Sequence, residues 1–403
     1  TSTTVSLVFE LLGGAFILAT LKMYGDDSLN YGVLLNSNKA LEVIMGIFSS
    51  VIIAFVFGAF VMWLSRIVFT FNYRKHSRYS IAIFGGIAFT ALSYFIFMKG
   101  LGKSPYLPAE WRNYIDQNLG LLLCITFVGS AIVMEFLHLC RINIFKFTVL
   151  MGTFALAMAF AGNDLVNFIG VPLAGLSSYQ DYMANANGAA PDQFMMTSLM
   201  DSAKTTPVYL LAAGAVMIIA MATSKKAQNV IKTSVDLSRQ DEGDEMFGSS
   251  SAARVIVRNC QATDSWLKQF LPKSLMNWIN SRFDKNDVEL EESAAFDVVR
   301  AAVNLVLASM LITIGTNLKL PLSTTYVTFM VAMGSSLADR AWSRESAVFR
   351  VTGVLSVIGG WFITAGVAFA ACGIVCIIMH FGGVGIQTCF MALVIFLLIR
   401  SNI

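Results

Sequence analysis

Apolar runs long enough to cross a bilayer recur from one end of this 403-residue chain to the other. A membrane-spanning helix needs roughly 20 mostly apolar residues. Candidates lie at about 5–22, 41–64, 80–98, 119–139, 147–175, 207–223, 296–315, 325–337, 347–379 and 384–399. Soluble domains carry roughly 25% charged residues, whereas here 13% are charged and 56% are hydrophobic. The chain reads as all-α, a polytopic membrane protein. A net charge of +3 is too small to suggest a nucleic-acid partner.

Two spans depart from a plain apolar pattern. Residues 147–175 are interrupted by GNDLVN and then by Pro172, and the stretch around 320–337 is short and opens on Pro321. Short or interrupted segments at matching places in two halves point to a binding site near the bilayer midplane. Both spans are therefore expected to be broken or re-entrant helices. Arg66, Arg74, Lys75 and Arg78, then Arg141 and Lys146, then Lys225 and Lys226, fall on one side if spans alternate. That side is expected to be cytoplasmic.

Residues 225–293 form the long polar segment and join it there. Within it, DSWLKQFLPKSLMNWINSRF mixes Trp266, Phe270, Leu271, Trp278 and Phe283 with Lys268, Lys273 and Arg282. It reads either as an amphipathic helix on the membrane surface, broken at Pro272, or as a loop packed on the protein's own helices. Arg300, near the start of a span, is expected to snorkel toward the interface.

The sharpest intramembrane polar cluster is Asn163, Asp164 and Asn167 in AFAGNDLVNFIG. A carboxylate in hydrocarbon is costly and marks a functional site by default. Asp164 and Asn167 are three apart, on one helical face. A carboxylate, amide oxygens and backbone carbonyls freed by the glycines and Pro172 are hard ligands that suit a small alkali cation. The plainer reading is a neutralised acid or a polar kink that glues helices together.

The second feature is a repeat. The chain begins TSTTVSLVFELLGG and later reads LSTTYVTFMVAMGS; shifting by 321 (323 − 2) puts Ser2, Thr3 and Thr4 on Ser323, Thr324 and Thr325, and Gly13 on Gly334. One such triplet alone reads as helix capping. Two of them read as two helix N-termini whose N–H groups and hydroxyls surround one oxyanion, phosphate fitting without Lys or Arg. Glu10, inside the first apolar run, is a further candidate for cation binding or proton carriage. It is equally consistent with an interhelical hydrogen bond, and its repeat mate is Val331.

No pair among the six cysteines has CxxC spacing, and His76, His138 and His380 lie far apart in sequence. Neither a zinc site, nor a disulfide framework, nor a nucleophile–histidine pair is indicated. No enzyme activity and no cofactor are expected.

Asn163, Asp164 and Asn167, with Pro321, Ser323, Thr324 and Thr325 and the copy at Ser2, Thr3 and Thr4, resemble the inorganic phosphate transporter (PiT) family. That family carries an N-D-x-x-N-type motif and a P-x-S-T-T motif twice each, in inverted repeats. The resemblance covers about 147–380 well and 1–70 fairly. Ala161-Gly162 stands where the family has Gly-Ala, and Tyr326 where a His often follows S-T-T.

The resemblance implies a phosphate transporter of the cytoplasmic membrane, coupled to sodium, or to protons, by alternating access. Ser2, Thr3, Thr4, Ser323, Thr324, Thr325 and Asn167 would bind phosphate. Asn163, Asp164, Asn167 and Glu10 would bind cations, with sodium on Asp164. Another oxyanion such as sulfate, or a transport-inactive sensor or assembly subunit, is the alternative.

The expected organisation is 1–79 as the end of a first repeat, 80–139 as additional spans and 140–224 as the second repeat with the N-D motif. It continues with 225–293 as a cytoplasmic insert and 294–403 as the second S-T-T segment with the last spans. The partners expected are phosphate, sodium or protons, the lipid bilayer and an upstream segment carrying the second N-D motif. A homodimer is left open.

Overall fold

The computed structural model describes residues 2–25, 28–71, 78–101, 108–190, 193–194, 206–224, 248, 250–268, 272–283, 297–320, 322–338 and 344–402. Pro321, Arg74, Lys75, Lys225, Lys226, Phe270 and Leu271 lie outside them, as do the side chains of Trp266 and Lys268. The helices are α1 (Thr3–Gly25), α2 (Tyr31–Leu34), α3 (Ser37–Phe69), α4 (Arg78–Ser93, continued by a π-helical stretch Tyr94–Leu101), α5 (Ala109–Gln117) and α6 (Leu119–Leu139). They continue with α7 (Ile144–Asn185), α8 (Pro207–Thr223), α9 (Ser251–Lys268), α10 (Lys273–Arg282), α11 (Val298–Asn317), α12 (Thr324–Ala338) and α13 (Arg344–Asn402). Among the described residues there is no strand, and seven helices are long and apolar enough to cross a membrane. The protein is an all-α, multi-pass membrane protein.

Polar side chains start these helices where apolar sequence cannot. The first N–H groups of a helix have no partner inside it. Asn36 accepts from Lys39 N at 3.0 Å, Asn143 from Phe145 N at 3.0 Å, and Asp297 from Val299 N at 2.9 Å. The two serines of the repeat do the same. Ser2 Oγ accepts from Val5 N, and Ser323 Oγ from Tyr326 N, each at 3.3 Å.

The two copies also pack alike. α1 lies along α13, and α12 lies along α3. Gly13 meets the backbone of Phe369, and its repeat mate Gly334 meets the backbone of Phe55. These contacts fix a second register, 369 − 55 = 314. In that register Leu41, Val43, Ile44, Gly46, Phe48, Ala54, Phe55 and Val61 fall on Leu355, Val357, Ile358, Gly360, Phe362, Ala368, Phe369 and Val375. Ile47, Val51 and Ala54 are buried, as are their mates Trp361, Ala365 and Ala368. Each repeat's capped helix therefore packs against the long helix of the other repeat. The main apolar core lies where they meet, around Val5, Ile47, Tyr326, Val331 and Trp361.

Three expectations need correction. First, α7 runs unbroken through GNDLVN and Pro172. A proline removes one N–H, and membrane helices tolerate this when neighbouring groups restore the bonding. Second, α12 is short, 15 residues or about 22 Å, but α1 has 23 residues and is not a half-length segment. Third, Arg300 does not snorkel; it is fully buried beside Asp297. Asp297 caps α11 and pairs with the buried Arg66 of α3. A buried carboxylate placed there needs the cations close by. The last two candidate spans are two helices in direct succession, as expected, separated at Gly383, whose φ of 57° a glycine adopts without strain.

The polar segment forms two helices on either side of Pro272, and both touch the protein's own spans. α9 packs on α13 and α10 on α3, with Pro272 capping α10. Leu275 and Trp278 stay exposed.

Candidate functional site

The N-terminal turn of α12 is the centre of the site. Thr324 is its first residue and is buried. Its hydroxyl lies 3.0 and 3.2 Å from the two carboxylate oxygens of Asp164 on α7. Asn163, also buried, donates through Nδ2 to Asp164 Oδ1 at 3.0 Å and to the carbonyl of Leu322 at 2.9 Å. One turn along α7, Asn167 Nδ2 donates to Thr4 Oγ1 of α1 at 3.5 Å. A single helix thus touches the capped ends of both repeat helices.

Local sequence explains the arrangement. Asn163 and Asp164 are adjacent and so diverge around the helix axis. One can reach the Leu322 carbonyl while the other reaches Thr324. Asn167 follows on the Asp164 face. Gly162 and Gly170 have open space where a side chain would stand. The carboxylate lies at the positive end of α12's dipole, where negative charge is favoured.

The capping serines use an oxygen lone pair, which leaves their hydroxyl hydrogens free to donate elsewhere. The Tyr326 hydroxyl lies close to the backbone of Ser2 and to Thr364 of α13, between the two capped ends.

The repeat gives unequal exposure. Thr4 and Thr324 are buried; Thr3 and Thr325 are exposed. Under the 321 shift Thr3 is the mate of Thr324, and Thr325 of Thr4. The two hydroxyls that α7 does not cover are therefore the counterparts of the two it does.

Of the sequence candidates, the structure brings together Asn163, Asp164, Asn167, Thr4, Thr324, Ser2 and Ser323 around the two capped turns. Glu10 is not among them. It is half-buried, about 12 Å along α1 from Ser2 by helical rise, near Cys372 of α13. No hydrogen bond joins it to Asn163, Asp164 or Asn167. Cys372 and Cys376 pack against Gly14 of α1.

Two participants were not anticipated. The Leu322 carbonyl carries no side-chain signal. The place of Tyr326 beside both capped ends was signalled only by its hydroxyl standing where the first repeat has Val5.

The ligand set is one carboxylate with neutral oxygens from amides, hydroxyls and a carbonyl. Among the described residues no group of three His, Cys, Asp or Glu is placed to hold a metal. The donor set suits a hard monovalent cation rather than a thiolate- or imidazole-seeking metal. No protein-family model, curated protein or solved structure matches this chain.

Proposed function

We propose that this chain acts as a secondary transporter that carries inorganic phosphate across the cytoplasmic membrane together with sodium. One observation carries the reading. α7 holds a membrane-embedded carboxylate against one capped helix end and an amide against the other. A cation site and two oxyanion-binding helix ends therefore share one centre.

In this reading sodium sits on Asp164 with oxygens of Asn163 and Asn167. Phosphate takes the hydroxyls of Ser2, Ser323 and the neighbouring threonines, the N–H groups of both first turns and the Asn167 amide. Cation and anion neutralise one another in a medium where an unpaired charge is costly. The crossed packing of the two repeats supports a pair of inverted repeats that rock about this centre. Glu10, distant from the cluster, is left out of the cation site.

The exposed Thr3 and Thr325 support a further element. A second Asn-Asp helix, related to α7 by the repeat, covers them in the working protein. Its acid reaches Thr3 and its amide Thr325.

The test is uptake of radiolabelled phosphate into proteoliposomes, with and without a sodium gradient and with sulfate as competitor. The protein used is the full-length gene product. Sodium-dependent uptake, resistant to sulfate, is expected, and Asp164→Ala abolishes it while the protein stays folded. Equal uptake without sodium removes the sodium coupling, and wild-type uptake by Asp164→Ala removes the site.

A further inference from the structure

We infer that α9 and α10 form an internal clasp that holds the two crossed helix pairs, α3 with α12 and α13 with α1, in a fixed relation. Each pair is tightly packed in itself. A Cβ on Gly334 or on Gly13 would overlap the backbone of the facing helix, and one on Gly58 would lie 2.6 Å from the Val331 carbonyl oxygen. Such packing has no slack, so each pair moves as one body. The clasp has one grip on each body.

The first grip is on α3. Its last carbonyls lack partners inside the helix. Arg282, in the last turn of α10, donates through Nε to the Ile67 carbonyl at 2.6 Å and through Nη2 to the Val68 carbonyl at 2.9 Å. A guanidinium suits this, because its fork spans two acceptors and its charge complements the negative end of α3. Phe283, just beyond, is buried.

The second grip is on α13. Ser250 Oγ caps α9 by accepting from Ala253 N at 3.2 Å. The same residue donates its backbone N–H to Thr352 Oγ1 at 3.2 Å, and Thr352 donates to Ser250 Oγ at 3.2 Å. Ala253 and Val257, one turn apart, are buried on this side. α9 and α10 are joined by only four residues, 269–272, which reach at most about 14 Å. The adjoining ends of α9 and α10 therefore cannot part beyond that span, which limits how far the two grips can separate.

Neither grip touches the Asp164 cluster, and neither is needed for the helices to span a membrane. What the clasp constrains is the angle between the two bodies, the motion that exchange of access at the proposed site requires. The inference rests on the transporter reading for its purpose but not for its geometry.

The experiment measures geometry without transport. Spin labels are attached at Leu64→Cys on α3 and Ile363→Cys on α13, both exposed, after replacement of the native cysteines, in lipid nanodiscs. The distance distribution between them is read by pulsed electron resonance, and amide exchange of α9 and α10 is followed in parallel. Arg282→Lys keeps the charge but cannot span two carbonyls, and Thr352→Val removes the hydroxyl.

Each variant is expected to broaden the distribution and to speed exchange in both α9 and α10, by roughly tenfold for Arg282→Lys, the factor for one charge-assisted hydrogen bond, and by roughly fivefold for Thr352→Val, which loses a neutral one. Thr352→Ser is expected to match the parent. An unchanged distribution in variants whose α10 exchanges faster overturns the clasp, as does faster exchange confined to the helix whose own contact was cut. Absent phosphate uptake beside a responsive distribution would refute the transport reading and leave the clasp standing.

Discussion

Replacing Gly334 by alanine tests the crossed packing most directly. A Cβ there meets the Phe55 carbonyl oxygen closer than any real contact, with Ala59 N at 3.0 Å and the Phe55 carbonyl carbon at 3.1 Å. All three are backbone atoms of α3, so no side chain can turn aside. Relief requires α12 and α3 to part by about 1 Å, and a gap of that size forfeits a quarter to a half of each dispersion contact along the interface. Overpacking in cores costs about 1–3 kcal/mol, and the rigidity of both partners puts this case at about 3 kcal/mol.

The separation also draws Thr324, ten residues before Gly334, away from Asp164. Gly13→Ala presents the same conflict with Phe369 and is expected to cost as much. Gly162→Ala is the control: nothing stands where its Cβ would go, and replacing a helical glycine gains up to about 1 kcal/mol. Reversible unfolding in mixed micelles gives the three values. A Gly334→Ala protein as stable as the parent, or a Gly162→Ala protein as damaged as Gly334→Ala, would refute the packing argument.

Other outcomes follow from the same contacts. Burial alone would raise the carboxyl of Asp297, but Arg66 and Arg300 outweigh it and hold its pKa at about 2 against an ordinary 3.8. A carboxyl depressed on folding stabilises above its unfolded pKa, and that stability is lost as pH falls. Unfolding measured between pH 5 and 2 should show about 2 kcal/mol disappearing from roughly pH 4 downward. Arg66→Ala should shrink that dependence, leaving the part held by Arg300, and cost about 3 kcal/mol at neutral pH by removing the partner that Asp297 pairs with. In the 403-residue chain alone, a water-soluble maleimide should label Thr325→Cys and Thr3→Cys within minutes and leave Thr324→Cys and Thr4→Cys unlabelled, whereas a protein that carries the proposed covering helix should protect all four. Equal labelling at Thr324 and Thr325 would contradict the burial seen at the site.

The spans and the capped triplets could be read directly, because hydropathy and N-cap chemistry are local. The meeting of Asp164 with Thr324 was also legible, since an intramembrane acid needs donors and the triplet offered them. Three things were not. Glu10 looked eligible because sequence spacing does not say which neighbour a helix face meets. Arg300 looked like a snorkelling residue because Asp297 attracts it only once Arg66, 231 residues away from Asp297, arrives from α3. Pro172 looked like a break because its effect depends on neighbours that the local sequence does not name. The 314 register is visible once Gly13 and Gly334 show which carbonyls they face; before that, two helices of similar composition give no reason to be aligned.

The exchange of partners between the repeats has a consequence for biosynthesis. Gly13 must wait for Phe369, 356 residues later (369 − 13). At ribosomal speeds of about 5–20 residues per second, that is roughly 20–70 s. Throughout that interval α1 sits in the bilayer with its glycine groove unfilled, so the newborn protein depends on lipid or on the insertion machinery to shelter the groove until its distant half emerges.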